Sequence, residues 1–314
     1  MKAFFKNKGV RVVSISHLHK ILLLAYADEL VILADNPVIM NKILKQLSEY
    51  CRINDLELNE RKTKIVIFKR GGHKNNVKYQ SYYNKEIKIE VVSSYNYLGI
   101  DFYQSGLFCN TVENVIKKSY AASSATLAII NKIRPNSWWI INRLFVSMVS
   151  SVSLYASQVW SPRYVEEIEK VQNSFFKKDF LVSNNIPNYE IRLELGRPHM
   201  SVLIFKLALK WLEKILMMDG SRLPKVCFDR LKKLAESDKQ SDDLNWISQI
   251  KHFFTVIKRE EIWNNLNLKN LQENKESLLK LYKMYWYDRD RTNLMNSSSL
   301  IFYRHLHNQP FTQD

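Results

Sequence analysis

Two acids side by side, Asp28 and Glu29, interrupt the apolar run ILLLAYADELVILAD at residues 21–35, which otherwise reads as a pair of strands. Tyr26, Ala27, Asp28 and Glu29 then sit at the turn between them. Carboxylates held between segments that want to be buried carry a desolvation cost, and a bound cation or a basic partner is the usual compensation. Acids are also common in plain solvated turns, so the pair alone does not separate the two readings. The residues that follow do.

Ile39, Met40, Ile43, Leu44, Leu47, Tyr50 and Cys51 recur at helical spacing and predict an amphipathic helix over residues 37–51. Asp35 or Asn36 serves as its cap, and Pro37 suits its first turn. Within LELNERKTKIVIFKRGG, residues 56–72, Ile65–Phe68 reads as a strand bounded by basic residues and a glycine pair. A further strand, Ile87–Val92, alternates with Lys88 and Glu90 and leads into Tyr95, Asn96, Tyr97, Leu98, Gly99 and Ile100. The order is acidic hairpin, helix, basic strand, then strands around an aromatic-Leu-Gly turn.

In that order these residues resemble the downstream part of a reverse transcriptase of the non-LTR, LINE-type retrotransposon group. Tyr26–Glu29 is similar to the family's Tyr-Ala-Asp-Asp box in the polymerase palm. Asn59, Lys62 and Thr63 resemble the next block, and Tyr97, Leu98 and Gly99 the Tyr-Leu-Gly element that grips the primer. Residues 144–160 look like the thumb-region helix, with Leu154, Tyr155 and Trp160 in a Leu-Tyr-Gly-x-x-x-Trp pattern and Ala156 where glycine is usual. Residues 165–181 and 191–200 are similar to the post-thumb segment. Each motif alone recurs by chance; three palm motifs in order, with the right elements between them, carry the resemblance over residues 10–215.

The resemblance implies an RNA-directed DNA polymerase by descent. It assigns Asp28 and Glu29 as metal ligands for Mg2+, Lys62 as a proton donor or phosphate contact, and Asp28, Glu29 and Lys62 together as the catalytic set. Tyr26, Lys64, Lys69, Arg70, Tyr97, Leu98 and Gly99 become the nucleic-acid contacts. The implied fold is α+β: a partial palm at 1–104 built of a β-hairpin, a helix and short strands, a thumb-like helical segment at 105–180, and an all-α region at 181–314. Two departures matter. The earlier palm block with its own aspartate, and the fingers, have no counterpart in the sequence, where Asp28 is the first acid. Glu29 replaces the second aspartate of the box and moves its carboxylate outward by one C–C bond, against the strict octahedral geometry of Mg2+. The expectation is a fragment inactive alone, with two alternatives: a non-catalytic nucleic-acid-binding module, or a helical remnant that binds another protein through its C-terminal half.

Charge agrees with a polyanionic partner, RNA or DNA. Over 314 residues, 47 Lys and Arg face 31 Asp and Glu, a formal +16. The excess is spread along the chain, which speaks for a cationic groove and against a basic arm. Its densest stretch is Arg61, Lys62, Lys64, Lys69, Arg70, His73, Lys74 and Lys78. Cys51, Cys109 and Cys227 show no paired spacing, so neither a zinc knuckle nor a disulfide framework is expected. The first residues lack a secretory apolar stretch, and no run reaches the length of a membrane span, so the protein is expected inside the cell, nuclear or cytoplasmic, with no membrane partner. His305 and His307 have no third ligand nearby in sequence. Val165, Ile168, Val171, Phe175 and Phe176 fit one buried helix face. The aromatics of LYKMYWYDRDR, residues 281–291, either stack on bases or pack between helices, packing being the commoner use.

Overall fold

The computed structural model describes residues 4–5, 13–15, 19–69, 81–83, 87–237 and 244–297. Arg70, His73, Lys74, Lys78, His305 and His307 lie outside the described residues. The fold is α+β, with small sheets in the first part of the chain and helices beyond. It divides into two units, Met1–Thr111 with Asp219–Arg230, and Val112–Met218 with Leu231–Asp314.

The first unit opens with β1 (Val13–Ser14) against β2 (Lys20–Ile21). An antiparallel hairpin follows, β3 (Leu23–Tyr26) and β4 (Glu29–Ile32), in the register Leu23↔Ile32 to Tyr26↔Glu29. Helix α1 (Pro37–Ile53) begins at Asn36, whose side chain accepts from the Ile39 N–H at 3.0 Å, with Pro37 in the first turn. It buries Ile43, Leu44, Leu47 and Cys51. These pack with Leu23 of the hairpin, Ile89 and Phe5, so one apolar helix face covers the hairpin and the neighbouring sheet at once. That sheet has the order β5 (Lys64–Val66), β7 (Ile87–Val92), β6 (Ser81–Tyr83). The expected strand Ile65–Phe68 is shifted: β5 runs parallel to β7 and stops at Val66, because Val66 faces Val92, the last residue of its partner. A second hairpin, β8 (Ser94–Tyr97) and β9 (Ile100–Tyr103), completes the unit's strands.

In the second unit α2 (Cys109–Ile133) contributes Ile130 to a core with Phe145, Val149, Val171, Phe175, Phe176 and Ile191. Helix α3 (Trp138–Leu144) continues through a π-helical stretch, Phe145–Ser150, into α4 (Ser151–Ser153). The single thumb-like helix expected over 144–160 is therefore broken. A bend of 54° separates this run from α5 (Ser157–Trp160) and the 3-10 turn Ser161–Arg163. The cause is Ala156 in the left-handed region, φ 50° and ψ 20°, which no helix tolerates.

Helix α6 (Val165–Asp179) carries acids in its first turn and lysines in its last, matching its dipole. Ile168, Val171, Phe175 and Phe176 are buried, as their spacing predicts. Helix α7 (Asn188–Glu194) leads to α8 (Met200–Leu216), whose Ile204, Phe205, Ala208, Leu209 and Leu212 are fully enclosed. Helices α9 (Leu223–Ser237), α10 (Trp246–Val256), α11 (Glu260–Asn264) and α12 (Leu268–Asn296) follow, α10 and α12 packing against α8. Phe205, Phe253, Phe254, Tyr282 and Trp263 interlock edge to face and tilted. The Tyr282–Trp286 aromatics are thus spent on packing: Tyr282 and Trp286 are 4% and 7% exposed.

Candidate nucleic-acid interface

The acidic pair lies where the alternation places it, but not in the setting expected. Ala27 and Asp28 are the two residues of the β3–β4 turn, and Glu29 opens β4 opposite Tyr26. Asp28 and Glu29 are exposed, as is Tyr26 at 63%. Only one face of this two-stranded sheet meets α1, so the tip stands in solvent and the carboxylates bear none of the desolvation that buried flanks would impose. Ala27 holds φ 50°, a conformation that costs an L-residue about 1–2 kcal/mol.

The second motif is a tight local fold. Asn59 accepts the Lys62 N–H on its side chain at 3.0 Å, and its carbonyl accepts the Thr63 hydroxyl at 2.8 Å and the Thr63 N–H at 2.9 Å. Asn59 and Thr63 thereby hold the loop closed and leave Lys62 exposed on it. Lys64 instead donates to Glu90 at 2.7 Å across the parallel strands, so its charge is already matched. The Lys69 N–H donates to the Gln104 carbonyl at 2.9 Å, tying the end of this segment to the second hairpin.

In that hairpin Leu98 and Gly99 form the two-residue turn, with φ of 51° and 81°. Two positive φ values mark the twist-matching primed turn, where glycine is free and leucine is strained. Tyr97 flanks it, half-buried; burial and then the Glu29 carboxylate push its phenol above the usual tyrosine value. Glu29 and Tyr97, 68 residues apart in sequence, are thus close enough for one to feel the other's charge. The structure brings Tyr26, Asp28, Glu29 and Tyr97–Gly99 onto one unit with Lys62, Lys64 and Lys69.

Asp28 and Glu29 alone do not fill the coordination shell of Mg2+, whose other ligands would be water or phosphate oxygens. The ion wants a near-ideal octahedron of oxygens, whereas Asp28 and Glu29 are two adjacent carboxylates on an open turn. Among the described residues no group of three or more His, Cys, Asp or Glu side chains is arranged to hold a metal ion. Cys51, Cys109 and Cys227 form no disulfide with one another.

The Leu154–Trp160 motif is structural. The indole N–H of Trp160, itself 1% exposed, donates to the Tyr155 carbonyl at 2.9 Å and clamps the bend made by Ala156.

No known protein family, curated protein or solved structure matches the chain. The geometry stands alone.

One cluster escaped the reading of the sequence. Arg192 donates from Nε to Asp290 at 2.7 Å and, through a second bond of 2.5 Å, holds that carboxylate with both prongs of its guanidinium, while its third nitrogen reaches Glu169 at 2.9 Å. All three are buried. Burial works against the Arg192 charge, but the Asp290 and Glu169 partners outweigh it and hold the guanidinium above its ordinary value. Glu169 also accepts the Met200 N–H at 2.7 Å, at the start of α8. His199 lies flat on Trp286, ring centroids 3.6 Å apart. The signal was present: Leu278, Tyr282, Trp286, Asp290 and Leu294 recur every fourth residue on α12, so the acid sits on a buried stripe.

Proposed function

We propose that this protein descends from the palm and thumb of a LINE-type reverse transcriptase and binds RNA or DNA without extending a primer by itself. The observation that carries the reading is that two motif turns, Asp28–Glu29 on one hairpin and Tyr97–Gly99 on the other, lie in one unit and near enough for the Glu29 charge to reach the Tyr97 phenol. Two further observations support it. Asn59 and Thr63 have a definite structural task, which leaves Lys62 as the motif's available cation. Ala156 adopts positive φ at the position where the resembling family has glycine, so the departure in sequence falls on a backbone that glycine suits.

In this reading the exposed Lys62, with Lys69 and Arg70 farther along the sequence, contacts phosphates, and Tyr26 offers an exposed ring to a base or sugar. Lys64, matched by Glu90, contributes less. Asp28 and Glu29 are the remains of a metal-binding box whose donor set is too small for nucleotidyl transfer, so no catalytic step is assigned to them.

The testing experiment pairs binding with extension on one primed RNA template. Binding that weakens in Lys62→Gln, Lys69→Gln and Arg70→Gln combined, with no extension in Mg2+ or Mn2+, is the expected outcome. A second reading, binding of another protein by the second unit, draws on its exposed apolar side chains Trp139 and Leu181, 68% and 92% exposed. Absence of nucleic-acid binding would favour it.

A further inference from the structure

The second unit contains an open groove of about 1000 Å³. It is walled by the 3-10 turn at Pro162 and Arg163, the end of α9, the face of α10 and the end of α11. Three separate elements line it with basic side chains: Arg163, Lys232, and Lys251 beside His252. Against them stands one carboxylate lining the groove, Glu236. Among the described residues the Lys232 and Lys251 side chains make no ion pair or hydrogen bond, so two like charges face one cleft unmatched. Such an arrangement is unfavourable until a polyanion enters and releases its counterions. The remaining wall is polar, with Gln249, Asn264, Ser248 and Thr255, the Thr255 hydroxyl donating to the Lys251 carbonyl at 3.4 Å. Trp263 at the floor is 6% exposed and engaged with Phe254, so the groove offers charge and hydrogen bonds in place of a stacking ring. Another cleft of this unit, about 320 Å³ beside Arg192, differs in kind: its Arg192 is already held by Glu169 and Asp290, and its His199 lies against Trp286.

We infer that this groove is a second nucleic-acid site, which takes the sugar-phosphate backbone of a single strand, separate from the two hairpin turns of the first unit. The inference rests on the reading of the chain as a nucleic-acid binder. An acidic protein segment shares the charge, but the cation excess spread along the whole chain, a formal +16, suits an extended polyanion, so the single strand is the better match.

The test uses the full chain and a fluorescein-labelled oligouridylate in fluorescence anisotropy across a salt series. Arg163→Gln, Lys232→Gln and Lys251→Gln combined should weaken binding at least about tenfold at low salt and flatten the slope of log affinity against log salt by about 2, at roughly 0.7 per phosphate contact on a single strand. Glu236→Lys, a gain of charge on an exposed helix end, should tighten binding and so keeps the inference testable if the triple variant folds poorly. Lys62→Gln, Lys69→Gln and Arg70→Gln combined serve as the comparison in the first unit. If that comparison weakens binding while neither groove variant changes it, the groove inference is overturned and the broader reading stands. If the unaltered chain fails to bind at low salt, both fall. A labelled polyglutamate peptide that binds as tightly, and with the same sensitivity to the groove variants, would assign the groove to acidic protein instead.

Discussion

The carboxylate of Glu29 raises the phenol of Tyr97, second only to the phenol's partial burial. This one relationship joins the two hairpin turns whose motifs lie farthest apart within the first unit. Removing the charge in Glu29→Gln should bring the Tyr97 ionisation down toward its ordinary value near 10, while leaving the part due to burial. Tyrosine-labelled NMR titration, with the resonance assigned by Tyr97→Phe, reads the shift. An unchanged Tyr97 titration would mean that the turns do not face one another.

Ala156 is the clearest misfit between residue and backbone. Glycine relieves the left-handed strain but loses more entropy on folding, so Ala156→Gly should stabilise by a net of about 0.5–1 kcal/mol. A branched residue at the same place, Ala156→Val, should destabilise clearly. Urea midpoints of the two variants check both signs, and a destabilised Ala156→Gly would contradict the bend.

How much of this was legible depends on the range of the interaction. The first hairpin and α1 are local: Leu23, Ile43, Leu44 and Leu47 declare their faces by period, and Asn36–Pro37 declares the start. The end of β5 was not legible, because it is set by where β7 stops, and nothing near Ile67 or Phe68 records that. The exposure of Asp28 and Glu29 was misjudged for a related reason. An apolar run reports that a strand has a buried face, but the number of faces covered depends on distant elements, and among the described residues this hairpin pairs with no further strand. Lys64 reads as a free cation until Glu90 is brought beside it.

Arg192, Glu169 and Asp290 link α6, α7 and α12, elements far apart in sequence. Removing one member strands the others as buried charges, so Asp290→Ala or Arg192→Ala should cost about 3–5 kcal/mol. Chemical denaturation measures the loss. Coupling shown by a double-mutant cycle of Arg192 and Asp290 distinguishes the network from independent packing effects.

The same corner has a predictable acid response. The His199 imidazole, with Nε2 3.7 Å from the carboxylate, lowers the Glu166 carboxyl; burial opposes this, and Arg289 and Arg192 add to the lowering. A carboxyl lower in the folded state than in the unfolded chain contributes stability above its unfolded value, and that contribution is lost as pH falls through the folded one. Stability should therefore drop from about pH 4.5 downward, and His199→Gln should shrink the Glu166 share of that drop. Because Glu166 is largely solvent-exposed, the effect is small and is best read from its own NMR titration.

Catalysis is expected to be absent in this chain alone. Two carboxylates on an open turn do not complete a two-ion site, so a primed RNA template with Mg2+ or Mn2+ should show no extension above background. Extension abolished by Asp28→Ala would reveal a third carboxylate donor and overturn the assignment.

The central claim, that the chain binds nucleic acid through its cationic surface, is tested most directly by the affinity of the full chain for a primed RNA template from 50 to 200 mM salt. The account predicts measurable binding at the low end and a fall of about ten- to a hundredfold across the series, the response of a few phosphate contacts. No binding at 50 mM, or an affinity that ignores salt, would contradict it.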